Sequence, residues 1–116
     1  MADDSIPTDQ VFLDKARLSR RELEAIVASG VFDREFYLAN YLDIAAARVN
    51  PLEHYLVTGR YEKRLANPLF DPAEYFELNP ELQSCGIEPF QHYALVGKQA
   101  GRYGSRADVI VRILDT

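Results

Sequence analysis

Apolar residues recur along this chain at helical spacing, and the intervals between them are filled with helix starts and stops. Leu23, Ile26 and Val27 follow Ser19-Arg20-Arg21-Glu22, a serine and glutamate spaced for a reciprocal capping box, and Gly30 is a natural stop. This predicts a helix over about 20–29. Ahead of it, residues 1–10 are polar and carry Pro7, so residues 1–18 read as a flexible tail, with Val11, Phe12 and Leu13 allowing a short turn.

From residue 32 the pattern is written twice. Residues 32–64 align without a gap on residues 70–102. Eight positions are identical: Phe32/Phe70, Asp33/Asp71, Tyr37/Tyr75, Pro51/Pro89, His54/His92, Tyr55/Tyr93, Gly59/Gly97 and Arg64/Arg102. A period of this length marks a repeat architecture.

Each copy reads as three short helices. Asp33 and Asp71 cap the first, and in copy two Pro72 and Glu74 complete a capping-box pattern. Asn79-Pro80 opens the second helix of copy two, with Asn79 as its cap. Copy one has Tyr41-Leu42 there, which lets its first two helices run together. The third helix opens at Asn50-Pro51 or Glu88-Pro89. It is expected to stop at Gly59 or Gly97 through a left-handed glycine. Val109, Ile110, Val111, Ile113 and Leu114 suit either a strand or a helix packed on the second repeat.

The predicted fold is therefore all-α: an N-terminal capping helix (19–31), two stacked three-helix repeats (32–69 and 70–104) and a C-terminal segment (105–116) of either type. One unit is too small to bury its apolar face alone, so stacking supplies a shared core.

Composition narrows the class of role. An apolar fraction of 47% and a charged fraction of 27% suit a folded domain. A net charge of −5 argues against nucleic acid and anionic membrane as general partners. The acidic start and the lack of a long apolar run predict a cytoplasmic protein with no membrane span. The single cysteine, Cys85, excludes an internal disulfide and a cysteine zinc site, and its apolar neighbours predict a small buried thiol. No nucleophile elbow, phosphate-gripping glycine loop or metalloprotease motif is present, so no enzyme activity, cofactor or metal is expected.

The candidate binding residues are His54, His92, Arg60, Lys63, Arg64, Lys98 and Arg102. The paired histidines either face a partner or glycan, or bond a carboxylate or backbone carbonyl inside their own repeat. The cations follow helix ends, where they offset the helix dipole, and Arg64 and Arg102 have Asp33, Asp43, Asp71 or Glu81 as available partners. The alternative is a basic strip, extended by Arg106, that meets an anionic ligand. Glutamate at 60, 63 and 98 would then abolish binding and leave the melting temperature nearly unchanged. Tyr37, Tyr55, Tyr75 and Tyr93 have the spacing of core residues rather than of a sugar-stacking platform.

The combination Phe-Asp-x3-Tyr, a short acidic-apolar helix, then Pro-[Leu/Phe]-x-His-Tyr-x3-Gly-[Arg/Lys]-x3-Arg resembles a bacterial helical repeat found beside glycosyltransferase domains. It spans roughly residues 19–104. The resemblance implies a non-catalytic protein-interaction or scaffold module in surface-polysaccharide synthesis, docking to a glycosyltransferase or its assembly. A carbohydrate-binding module and a regulatory partner-binding protein unrelated to glycans are the alternatives.

Overall fold

The computed structural model describes residues 6–115, and among them there are helices and turns but no strand. They fall into two compact units that divide between Asn67 and Pro68.

The first unit holds α1 (Gln10–Ala16), α2 (Arg20–Ser29), α3 (Arg34–Asn40), α4 (Leu42–Ala47) and α5 (Pro51–His54). Helix α1 lies where only a tail or short turn was expected. The Asp9 carboxylate accepts from Phe12 N–H and starts it; Phe12, Leu13 and Ala16 are all buried. Helix α2 follows the sequence closely: Ser19 and Glu22 form the reciprocal capping box, and Gly30 ends the helix at φ 70°. Helices α3 and α4 do not run together. Tyr41, at φ −125° and ψ 80°, breaks the helical backbone between them, and Arg48 ends α4 in the left-handed region.

The second unit holds α6 (Pro72–Leu78), a single 3-10 turn (Pro80–Leu82), α7 (Pro89–His92) and α8 (Arg106–Leu114). Asp71 caps α6 by accepting from Glu74 N–H. The expected reciprocal bond is not made, because Asp71 N–H already donates to the Gly104 carbonyl. Glu74 instead accepts from Arg106 N–H at 2.8 Å. Asn79 does not cap the 3-10 turn with its side chain: it ends α6, its amide donating to the Tyr75 carbonyl and its oxygen accepting from Arg102. The C-terminal segment is a helix, started by the Ser105 hydroxyl accepting from Asp108 N–H.

Both α5 and α7 widen at their C-terminal ends into a π turn, Tyr55–Gly59 and Tyr93–Gly97. Arg60 N–H reaches back to the Tyr55 carbonyl, and Lys98 N–H to that of Tyr93, each at 2.9 Å. This is the i→i+5 bond of a π segment. Gly59 and Gly97 therefore do not stop a helix through a left-handed turn: both are absent from the positive-φ residues.

Aromatic packing fills each core. Tyr37 meets Tyr55 edge-on at 5.5 Å between centroids, and Tyr75 meets Tyr93 in the same way at 5.3 Å. Phe32 lies over Tyr55, and Phe70 stacks on Tyr93. Burying each such ring stabilises the fold by about 1.5–3 kcal/mol. The four tyrosines are thus core residues, as their spacing predicted.

Candidate functional site

The residues that carry chemistry in the doubled segment converge on one arrangement, made once in each unit. Helix α3 brings Tyr37 into the core, and α5 brings His54 beside it. Tyr37 Oη and His54 Nδ1 lie 2.8 Å apart. In the second unit Tyr75 Oη and His92 Nδ1 lie 2.7 Å apart. Each pair spans 17 residues in sequence. The histidine partner is thus a phenol, neither the carboxylate nor the backbone carbonyl expected.

Burial, followed by the nearby Arg64 cation, holds the His54 imidazole below its ordinary pKa. Burial and Arg102 do the same for His92. Burial also raises the phenols; Tyr75 is pushed up to about 12. In a neutral ring Nδ1 accepts a hydrogen bond from the phenol or donates one to it, according to the tautomer, and either way both groups stay uncharged.

Gly59 and Gly97, shared by the two copies, complete this arrangement. A Cβ on residue 59 would collide with Tyr37 Oη and press on the Tyr55 ring at 3.2 Å. A Cβ on residue 97 would collide with Tyr75 Oη and lie 3.4 Å from His92 Nδ1. Glycine is required by the close approach of the phenol to the helix backbone.

The two shared arginines each clamp the second helical element of their own repeat, α4 in the first and the 3-10 turn in the second. Arg64 donates to both oxygens of Asp43 at 2.9 and 2.8 Å, bonds Glu62, and lies over the Tyr41 ring. That fork draws the Asp43 carboxyl down to about 2. Arg102 donates to Asn79 at 2.7 Å and to Glu81 at 2.5 Å. The pairings with Asp43 and Glu81 were among those the sequence offered.

Arg60 does not belong to a basic strip. It is only 6% exposed, and donates from Nε to the Leu56 carbonyl and from a terminal nitrogen to the Ala16 carbonyl at 2.7 Å. It thereby satisfies the C-terminal end of α1, where helix carbonyls are left without partners. Its counterpart Lys98 is exposed, as is Lys63, which sits at φ 63°. Arg106 is held by Glu77 and Glu74. Cys85 is also exposed, contrary to the expectation of a buried thiol; its Sγ lies 3.3 Å from the Glu81 carbonyl oxygen.

Two surface features were not read from the sequence. A shallow groove of about 220 Å³ runs along α2, floored by Ile6, Leu23, Val27 and Ala28, with Arg20 and Glu24 among its lining residues. Helix α8 turns Asp108 and Arg112 inward, bonded to each other and to the backbone of Gly104, Gly101 and Arg102. Its aliphatic side chains face outward: Ile110, Ile113 and Leu114 are 58%, 62% and 77% exposed. Among the described residues no cluster of metal-ligating side chains occurs, and no helix is long and apolar enough to cross a membrane.

No protein-family model, curated protein or solved structure matches the chain.

Proposed function

We propose that this chain is a two-repeat helical scaffold that binds a protein partner, and that the partner belongs to a glycosyltransferase assembly of bacterial surface-polysaccharide synthesis. The observation that carries the scaffold reading is the inward turn of the shared polar residues. His54, His92, Arg64 and Arg102 are engaged with groups of their own unit, while aliphatic residues such as Leu42, at 72% exposure, stand in solvent. A surface of this kind suits a protein partner better than a small polar ligand. The glycosyltransferase assignment rests on the resemblance of the doubled motif.

Of the proposed contact residues, Lys63 and Lys98 remain on the surface and would form the polar rim of such an interface. Direct glycan binding is the second reading; Tyr61, 56% exposed beside Arg60, is the aromatic surface that favours it. Affinity capture from a bacterial lysate, with Leu42→Asp and Val49→Asp as controls, tests the first reading. A glycosyltransferase or polysaccharide-assembly protein retained by the wild type and lost from the variants is the expected result. Recovery of glycan without such a protein would overturn it.

A further inference from the structure

The first and last of the described helices are held in opposite ways. Helix α1 buries Phe12, Leu13 and Ala16, and apolar burial is the main favourable term in folding. Helix α8 buries one residue, Asp108, while Ile110, Ile113 and Leu114 stand in solvent. What fastens α8 is polar. Gly104 N–H donates to Asp108 at 2.9 Å, and Arg112 donates to the Gly101 and Arg102 carbonyls at 3.1 and 2.5 Å. These bonds hold the helix against the segment that leads into it. On the side of α6, Arg106 N–H donates to Glu74 at 2.8 Å, and the Arg106 side chain pairs with Glu77. Arg112 also lies over the Tyr103 ring at 4.2 Å and beside the Tyr93 phenol, at the edge of the second unit's aromatic core.

We propose that α8 is a strap: a helix latched across the edge of the second core by polar contacts, which lifts and reseats as one piece while α6 and α7 stay folded. Apart from half-buried Val109, lifting it takes none of its own aliphatic side chains out of a covered place. It exchanges bonds to the protein for bonds to water, at small net free energy. The contacts that close it include the exposed Arg106–Glu77 pair, whose attraction salt screens. A helix of nine residues is too short to persist alone in water, so the lifted segment gives up its helical hydrogen bonds. Elements with few buried apolar contacts open well below the free energy of global unfolding. The core beneath keeps its own closure, because the Asp71 N–H bond to the Gly104 carbonyl and the Tyr75–His92 pair do not involve α8.

Hydrogen–deuterium exchange of the full-length protein at neutral pH, read by mass spectrometry, tests this. Relative to their unstructured rates, the hydrogen-bonded amides of α8 should exchange at least about tenfold faster than those of α6 and α1, yet more slowly than in an unstructured chain. Raising sodium chloride from about 0.05 to 1 M should speed exchange in α8 and leave α6 unchanged. Arg112→Met keeps an unbranched side chain and removes the donors to Gly101 and Arg102; it should speed α8 about tenfold with α6 unchanged. Equal protection of α8 and α6 in the wild type overturns the proposal, because the second unit then opens as a whole. So does acceleration of α6 together with α8 in the variant, or α8 exchange that salt slows or leaves unchanged. Exchange of α8 at the unstructured rate overturns it as well, because the helix is then never latched. None of these outcomes bears on the glycosyltransferase reading, which is tested at Leu42 and Val49.

Discussion

The Tyr37 hydroxyl stands where a side chain on residue 59 would have to be. The same relation joins Tyr75 to residue 97. A buried ring packed against Tyr55 and bonded to His54 has little room to withdraw. Gly59→Ala and Gly97→Ala should therefore each destabilise their unit by about 1–3 kcal/mol, the usual cost of overpacking. Urea denaturation checks this, with Lys63→Ala as an exposed control.

The paired imidazoles set a pH dependence. Their folded pKa values lie below the ordinary value near 6.5. The unfolded chain thus takes up protons first as pH falls. Stability is fully present above about pH 6.5 and declines as pH drops through the folded imidazole values. For His54 the charged groups in play are Arg64, Glu62 and Asp43; for His92, Arg102. Asp43 and Glu81, lowered by their arginines, lose their contribution only at more acid pH. Midpoints of urea unfolding between pH 8 and 5 should fall for the wild type and fall less for His54→Gln/His92→Gln.

Arg60 is a structural cation. Replacing it with alanine removes its charged hydrogen bonds to the Leu56 and Ala16 carbonyls. A loss of about 2–3 kcal/mol is expected, against little change for Lys98→Ala at the aligned position. Thermal melts of the two proteins make the comparison. A charge reversal that includes position 60 would destabilise the first unit, so the binding role of surface cations is read from Lys63 and Lys98 alone.

Cys85 should react with a water-soluble thiol reagent in the native protein at nearly the rate of the unfolded chain. Mass spectrometry after a brief exposure would reveal the adduct; strong protection would contradict the structure around the 3-10 turn.

Helix starts were legible because they are local. Ser19, Asp33, Asp71, Asn50-Pro51 and Glu88-Pro89 act within three residues of themselves, and each accepts from a backbone N–H of its own first turn, Asp71 without the reciprocal bond from Glu74. The tyrosine core was legible from spacing. What depended on distant partners was not. Arg60 and Lys98 occupy the same register, yet Arg60 is buried at the end of α1 while Lys98 is exposed. The widening of α5 and α7 moved the reason for Gly59 and Gly97 from backbone conformation to contact with a phenol. Two signals were present in the sequence. Ser105-x-x-Asp108 is a capping pattern ahead of an apolar run, and Asp108 in fact accepts from Gly104 N–H, one residue earlier than a capping box requires. Phe12, Leu13 and Ala16 have helical spacing behind Asp9. Nothing in the local pattern of α8 showed that its polar side would face inward.

The central claim is that the shared tyrosine, histidine and glycine form an internal lock rather than a binding surface. A double-mutant cycle between Gly59→Ala and Tyr37→Phe, read by urea denaturation, tests it most directly. Tyr37→Phe alone should cost about 1 kcal/mol through the lost hydrogen bond to His54. In the Gly59→Ala background it should instead recover part of the stability, because it removes the oxygen that the new methyl group strikes. Strictly additive losses would contradict the account.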